Sequence, residues 1–113
     1  MKKIIIAAIV LLLQALVLAQ GAAIYTAKCA SCHGPSGKGN PAMAKMFNLD
    51  VSALNLVDSA TQALKDEDLK SAISKGKGKM PAFGEKMTGA ELAAIISHLR
   101  SLSGAPDLVS RGQ

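Results

Sequence analysis

The sequence contains few of the side chains from which small proteins usually build a core. It has no tryptophan, one tyrosine and two phenylalanines in 113 residues. A chain of this length forms one small domain at most, and a domain of fewer than roughly 100 residues is only marginally stabilised by its own side chains. We therefore expect a bound group to supply part of the apolar interior, with folding and binding coupled.

Other absences exclude whole classes of protein. The formal net charge is only +5, and no basic helix is interleaved with aromatic side chains, which argues against nucleic-acid binding. The sequence shows no internal repeat and no strand-like alternation, so we expect an all-α domain. Its two cysteines cannot form a four-cysteine zinc site.

The N-terminal segment has the features of a secretory signal peptide. A basic Met1-Lys2-Lys3 precedes an apolar run over residues 4–18, and Val17 and Ala19 stand at positions −3 and −1 of a cleavage site. We expect residues 1–19 to be removed, which takes two lysines and lowers the net charge from +5 to +3. The alternative is an uncleaved membrane anchor, although the run is shorter than the roughly 20 residues that a spanning helix needs. Residues 20–104 would then form the mature domain and 105–113 a loose C-terminal tail.

The only two cysteines lie in the segment Cys29-Ala30-Ser31-Cys32-His33. C-x-x-C-H is the attachment pattern of c-type haem. Two thiols on one helical turn can each add to a haem vinyl group, and the following histidine then lies under the iron as a nitrogen ligand. The alternatives are a zinc site, a thioredoxin-like dithiol and a simple disulfide. A zinc site needs four ligands, and although the chain has two cysteines and two histidines, His98 is far from the cysteine pair in sequence. A thioredoxin-like dithiol needs a βαβ context, which is not visible in the sequence.

A second segment with candidate ligand chemistry spans residues 76–83, where two glycines lead to Met80 and a proline follows it. We expect a flexible, extended approach, with the proline keeping Met80 out of the helical region. A thioether is a soft iron ligand that raises the haem potential when histidine lies opposite. Met43 and Met46, in a short helical turn over residues 42–47, are interpreted instead as core filler.

The first helix of the mature domain is predicted from Gly21 to about Cys32. Gly21, Tyr25 and Cys29 recur every four residues and so share one face. A glycine on that face allows another helix to approach closely. We expect Tyr25 to serve simple core packing.

Residues 34–41 hold three glycines and two prolines, so they form a loop. A backbone carbonyl near Pro35 or Pro41 is expected to hold the His33 ring, and the sequence does not choose between them. Residues 48–58 show no clean period and are predicted to be irregular chain along the haem edge.

Two further helices are predicted, over Asp66–Lys75 and Thr88–Leu102. The first has an acidic N-terminus and Gly76 immediately after its end. The second begins with a T-x-x-E capping box completed by Glu91, and Met87 precedes it as part of a hydrophobic staple, which argues against Met87 as a ligand.

Together these segments resemble a class I (mitochondrial-like) monohaem cytochrome c of the small bacterial periplasmic type. The resemblance covers residues 20–103 and is carried by Gly21-x3-Tyr25-x3-Cys29-x2-Cys32-His33-Gly34, by Gly76 to Phe83, and by the last helix through Leu102. It implies an all-α small cytochrome c fold, with three to four helices and loops around one covalently bound haem. It also implies that the N- and C-terminal helices pack together.

The resemblance assigns roles to four residues. Cys29 and Cys32 would carry one haem c through thioethers, and His33 and Met80 would be the axial ligands of its iron. Covalent attachment takes place outside the cytoplasm in this family, which agrees with an exported chain. A six-coordinate iron has no open site, so we expect an electron carrier and not an enzyme.

One residue departs from the pattern. Where such proteins often carry an aromatic side chain in the last helix, this chain has His98. It can pack like an aromatic ring against Gly21 and Tyr25, exchange with the iron ligand, or be a surface histidine.

We expect a monomeric periplasmic shuttle that cycles between Fe(III) and Fe(II), with no membrane span after cleavage. Lysines near the haem would steer it to redox partners with acidic docking patches, such as a respiratory complex, an oxidase or a dehydrogenase, unless they serve only solubility. One alternative is a membrane-anchored or subunit-bound cytochrome that keeps residues 1–19. Another is a haem-based ligand sensor or small peroxidase-like enzyme in which Met80 dissociates. The six lysines that we expect near the haem are Lys38, Lys45, Lys75, Lys77, Lys79 and Lys86.

Overall fold

The structure, a computed structural model, describes residues 1–103. This part of the chain is all-α, as predicted, and contains no β-strand. It has six α-helices and not three or four, because turns of four to six residues interrupt the loops. The predicted tail over residues 105–113 lies outside the described residues. The helices are α1 (Lys2–Lys28), α2 (Ala30–His33), α3 (Pro41–Met46), α4 (Ser59–Gln62), α5 (Asp66–Lys75) and α6 (Gly89–Ser103).

Helix α1 begins and ends earlier than the predicted first helix. It runs from Lys2 to Lys28, through the predicted cleavage site, because an isolated Gly21 costs a helix only about 1 kcal/mol and the apolar leader is rich in leucine and alanine. The backbone leaves the helix at Cys29, where φ is −117° and ψ is −36°. The rest of the cysteine motif therefore forms a separate turn, α2.

Helices α1 and α6 cross where Gly21 allows their backbones to meet. A Cβ atom at Gly21 would overlap the carbonyl oxygen of Ala94 and lie 3.2 Å from the Cβ of His98. One turn further along α1, the Tyr25 ring packs against the His98 ring, with centroids 4.9 Å apart. The prediction that the first and last helices pack together is confirmed, and the His98 ring takes the first of its three possible roles, packing against Tyr25 as an aromatic side chain would.

The core joins α1, α5 and α6. Helix α6 contributes the buried side chains of Ala94, Ile95, Ile96 and Leu99, and α5 contributes those of Leu69 and Ile73. Several partly buried side chains, Cys29 and Met80 among them, pack against this core cluster. Its buried members are Tyr25, Leu69, Ile73, Met87, Ile95, Ile96 and Leu99.

The starts and ends of the two longer predicted helices agree with their sequence signals. The Thr88 hydroxyl accepts a hydrogen bond from the Glu91 backbone N–H at 3.1 Å, and the Glu91 carboxylate accepts one from the Thr88 N–H at 3.0 Å. This reciprocal pair is the predicted capping box. Met87 is buried in the core cluster, as a staple requires. Helix α5 ends before Gly76, whose φ of +74° lies in the region that favours glycine.

Arg100 links α6 to the segment that leads into α5, and no sequence pattern indicated this role. Its guanidinium donates to the backbone carbonyls of Gln62 at 2.7 Å and Leu64 at 2.6 Å. It also forms an ion pair with Asp66 at 2.9 Å. The contacts fix the end of helix α4, a turn that was not predicted.

The part of the chain from α3 to α4 differs from the prediction in two ways. Residues Val51–Leu54 form a turn of 3₁₀ helix and not irregular chain, capped by the Asp50 side chain. The hydrogen bond from the Ser52 backbone N–H lowers the pKa of that carboxyl group. In α3, the Met46 side chain is 72% exposed among the described residues, so the interpretation of Met46 as core filler is wrong. The Met43 side chain is half-buried.

Candidate functional site

The cysteine motif lies at the junction of α1 and α2. Cys29 is the residue at which α1 ends, and Cys32 follows on the next turn. Both thiols are half-buried and neither is in a disulfide, so they are available for covalent attachment. Burial raises the pKa of Cys29, and the neighbouring Cys32 adds to this effect.

Hydrogen bonds from the following loop hold the motif's backbone. Gly34, with φ at +81°, donates its N–H to the carbonyl of Ala30 at 2.8 Å and turns the chain away from α2. Gly39 donates to the carbonyl of His33 at 2.7 Å. The Asn40 side chain donates to the carbonyl of Ser31 at 2.8 Å. The loop predicted for residues 34–41 thus ends one residue earlier, at Asn40, because Pro41 is the first residue of α3.

The His33 ring is held by a residue that the sequence did not identify. Its Nδ1 lies 2.8 Å from the backbone carbonyl oxygen of Leu54, 21 residues further along the chain. The expectation of a carbonyl near Pro35 or Pro41 is wrong. The reason is that the loop folds back so that Leu56 donates to Gly37 at 2.7 Å, which brings the 3₁₀ turn against the motif.

Tyr25 does more than fill space in the core. Its ring is 1% exposed, and its hydroxyl donates to the carbonyl of Gly34 at 2.6 Å. Burial raises the pKa of Tyr25 to about 12, so the hydroxyl remains a donor at neutral pH. One property of the sequence could have indicated this contact. A buried tyrosine needs a hydrogen-bond partner for its hydroxyl group, whereas a phenylalanine at the same position needs none.

Met80 lies in a closed turn, where the sequence suggested a flexible, extended approach. The backbones of Lys77 and Met80 exchange two hydrogen bonds, of 3.1 and 2.9 Å. Gly76 and Gly78 both have positive φ, so the glycines serve a tight turn. A Cβ at Gly76 would lie 2.6 Å from the Met80 carbonyl oxygen, so only glycine fits there. The Met80 side chain is half-buried against the core cluster, on which Cys29 also packs.

Lysine side chains surround these segments. Five of the six lysines named above are exposed and Lys38 is half-buried. The ammonium group of Lys79 lies 5.8 Å from the centroid of the Phe47 ring, a cation–π contact that links the Met80 turn to the end of α3. The charge near the Met80 turn is therefore positive and accessible to a partner.

The donor set fits a haem c. The described residues offer two free thiols, an imidazole oriented through Nδ1, and a thioether in a rigid turn. Within residues 1–103 no three His, Cys, Asp or Glu side chains form a cluster that could hold a metal ion. Apolar side chains between α3 and α5 are left exposed at 38–72%, and a macrocycle would cover such surface. They are Met46, Leu49, Val51 and Leu64.

A small all-α domain that combines a C-x-x-C-H turn with a loop methionine has the architecture of a class I cytochrome c. Comparison with known proteins agrees. Residues 17–99 match the family described as cytochrome c oxidase, cbb3-type, subunit III. The chain therefore belongs to this family and to the class I monohaem cytochromes c.

Relatives of two kinds are similar to the chain. A cytochrome c6 of Microcystis aeruginosa is 32% identical over 70% of this chain and 89% of its own length. The cbb3-type cytochrome c oxidase subunit FixP of Azorhizobium caulinodans is 33% identical over 75% of this chain. A FixP of Bradyrhizobium sp. is 34% identical over 76%. The chain spans only 27% and 28% of the lengths of the two FixP proteins.

Membership of this family establishes the cofactor and the class of chemistry, which is electron transfer. The cytochrome c domain of this chain binds haem c covalently, and it belongs to a family whose members are electron carriers and not enzymes. An electron carrier requires a redox donor and an acceptor as partners. The structure adds that Cys29 and Met80 both pack against the core cluster, and that the His33 ring is held by the backbone carbonyl of Leu54.

Proposed function

We propose that the protein is an exported, soluble electron carrier that holds one haem through Cys29 and Cys32 and binds the iron through His33 and Met80. The haem supplies one-electron chemistry at its iron. The chain supplies attachment, ligation and a charged docking surface.

The observation that carries this proposal is the hydrogen bond between His33 Nδ1 and the carbonyl of Leu54. A carbonyl oxygen can only accept, so Nδ1 must carry the proton. The lone pair of the neutral ring is then on Nε2, which is the atom left to bind a metal. Histidine ligands in proteins are oriented in this way by a bond from the other ring nitrogen, which also raises ligand basicity.

The two cysteines support covalent attachment. They are free thiols three residues apart on the turn that joins α1 to α2. Each thiol would add its sulfur and its hydrogen across one vinyl double bond, so attachment consumes no oxidant. A disulfide between Cys29 and Cys32 is the competing state, and it would exclude haem.

Met80 suits the sixth position because its turn is closed by two backbone hydrogen bonds and followed by Pro81. A methionine on a turn closed by hydrogen bonds would remain an iron ligand in both oxidation states, so little reorganisation would oppose electron transfer. This rigidity favours a carrier over the ligand-sensor alternative, which requires Met80 to dissociate readily.

The docking surface is proposed to be the lysine-rich border of the Met80 turn. Exposed lysines there would attract acidic patches on redox partners, strongly at low ionic strength. The matched test compares Lys77→Glu with Lys65→Glu, the same charge change at the other end of α5. We expect Lys77→Glu alone to lower the rate constant for reduction by an anionic reagent, with the difference vanishing at high salt. Equal effects of the two variants would contradict this docking surface.

A second candidate is a cytochrome held at the membrane as part of a complex. Helix α1 supports it, because this helix is long and apolar enough to cross a membrane and its apolar segment is almost entirely exposed. An N-terminal signal sequence has the same properties, and similarity to FixP extends over only 27% of that protein. Cell fractionation with intact mass measurement separates the two candidates. A soluble protein lacking residues 1–19 supports the exported carrier, and a full-length chain in the membrane fraction supports the anchored one.

Covalent attachment is tested by asking whether haem stays with the chain on a denaturing gel. We expect Cys29→Ser and Cys32→Ser each to leave one thioether, and the double variant to lose haem from the denatured chain. Ser31→Ala, a change of the exposed residue between them, is the matched control and should retain haem fully. Retention of haem by the double variant would contradict the assignment of these cysteines.

A further inference from the structure

Tyr25 lies at the crossing of α1 and α6 and is hydrogen-bonded to the backbone that follows His33, the proposed iron ligand. It is the only tyrosine in the chain, and its ring is packed between helices with the His98 ring 4.9 Å away. Its hydroxyl extends out of this packing to the carbonyl oxygen of Gly34 at 2.6 Å. A phenylalanine would fill the same space, so the hydrogen bond is the feature that packing does not require.

The residue that Tyr25 holds is the turning point of the chain after His33. Gly34 has φ of +81°, and a Cβ there would lie 3.1 Å from the carbonyl oxygen of Gly39. Its carbonyl also accepts the N–H of Gly37 at 3.1 Å. The Tyr25 hydroxyl therefore anchors a tightly packed turn, whose next hydrogen bond runs from Gly39 to the carbonyl of His33.

His33 is thus constrained at two ends. Its ring is held by Leu54 through Nδ1, and its backbone is held by the turn that Tyr25 anchors. The ring hydrogen bond fixes the tautomer but still allows the imidazole to tilt with its backbone. Fixing the backbone fixes that tilt, and axial-ligand geometry is one of the means by which a protein sets a haem potential.

We infer that Tyr25 is a positioning residue for the proximal iron ligand, which acts through its hydrogen bond to Gly34 and sets the orientation of His33 and thereby the reduction potential. The inference rests on the proposed role of His33 as an axial ligand. It assigns to the hydroxyl a role beyond the packing of the ring.

The test compares Tyr25→Phe with Ile95→Val in the haem-loaded protein. Ile95 is equally buried in the core cluster but is a purely apolar side chain, so its variant reports the loss of packing alone. Two quantities are measured: the midpoint potential by redox titration, and the hydrogen-exchange rate of the Gly39 amide in the reduced protein. Loss of one hydrogen bond should speed local opening, and so Gly39 exchange, by about fivefold to tenfold. Tyr25→Phe should also shift the potential, whereas Ile95→Val should change neither quantity beyond its effect on global stability.

A second variant keeps the test decisive if Tyr25→Phe accumulates poorly. Because the chain has one tyrosine, growth with 3-fluorotyrosine changes only this hydroxyl, which becomes a stronger donor with nearly unchanged packing. We expect a potential shift opposite in sign to that of Tyr25→Phe, and slower Gly39 exchange. An unchanged potential and unchanged Gly39 exchange in the fluorinated protein would overturn the inference.

The outcomes distinguish this inference from the proposed function. A wild-type protein without covalent low-spin haem would contradict the proposed function before any variant is compared. A wild-type protein with that haem, whose potential is insensitive to both changes at Tyr25, would overturn the positioning role alone.

Discussion

Replacing Arg100 tests whether the segment before α5 is held by backbone hydrogen bonds or by a surface ion pair. The Asp66 side chain is 60% exposed, and such exposed pairs contribute about 0.2–1 kcal/mol. Hydrogen bonds from a charged donor contribute about 1.5–3 kcal/mol when well made, and the carbonyls of Gln62 and Leu64 lie 2.7 and 2.6 Å from the guanidinium. The side chain is itself 31% exposed, so we take the lower end of that range for each bond.

Two such hydrogen bonds and the ion pair together contribute about 3–4 kcal/mol, so we expect Arg100→Leu to lower the free energy of unfolding by that amount, and Asp66→Asn to lower it by less than about 1 kcal/mol. Arg100→Lys should recover only a small part of the loss, because an ammonium group cannot serve two carbonyls in the fixed geometry of a guanidinium. Urea unfolding of the haem-loaded protein, followed by far-ultraviolet circular dichroism, measures all three. A loss for Asp66→Asn as large as that for Arg100→Leu would refute the reasoning, since the ion pair would then account for the effect.

Three further predictions concern stability. Gly21→Ala should lower the free energy of unfolding by about 1–3 kcal/mol, because the added Cβ overlaps the Ala94 backbone. Gly89→Ala should not lower it, because there is open space around Gly89. Equal effects of the two changes would contradict the close helix crossing. Burial lowers the pKa of His98 from 6.5, so the unfolded chain binds the proton first and stability should fall as the pH drops through 6.5. His98→Gln should make the pH dependence shallower in urea titrations, and an unchanged slope would contradict it. Thr88→Ala should cost about 1 kcal/mol in thermal unfolding through loss of the cap, and no loss would count against the capping box.

Local sequence signals predicted the longer elements of the fold. The acidic start and terminal glycine of Asp66–Lys75 and the capping box at Thr88 gave boundaries that agree with the structure to within a residue. Such signals work because a helix end is decided by side chains within one turn of it. The glycine and tyrosine spacing likewise predicted a face that another helix can approach closely, since residues four apart share a helix face, and the family resemblance identified that helix as the last one.

Long-range contacts were not predictable in the same way. The partner of His33 is a backbone carbonyl 21 residues away, and every residue carries a carbonyl, so the sequence at Leu54 has no distinguishing mark. The contacts of Arg100 to two carbonyls have the same difficulty, at separations of 36 and 38 residues. The exposure of Met46 follows from the direction in which α3 leaves its loop, which an i, i+3 spacing does not define.

The candidate site could be predicted from the sequence only in part. The cysteine motif and the loop methionine stand out because their residue types and spacing meet a chemical requirement that is local in sequence. The closed shape of the Met80 turn was missed because glycine permits both extended and tight conformations, and the contact of Gly76 with the Met80 carbonyl decides between them.

The most direct test of the central proposal is the visible and near-infrared spectrum of the exported protein, oxidised and reduced, before and after Met80→Ala. We predict a low-spin spectrum whose oxidised form shows the sulfur-to-iron band, lost in Met80→Ala and retained in Met46→Ala, which removes a methionine of the proposed haem-covered surface that is not assigned as a ligand. Low-spin haem unaffected by Met80→Ala would contradict ligation by Met80, and absence of covalent haem would contradict the assignment of Cys29 and Cys32.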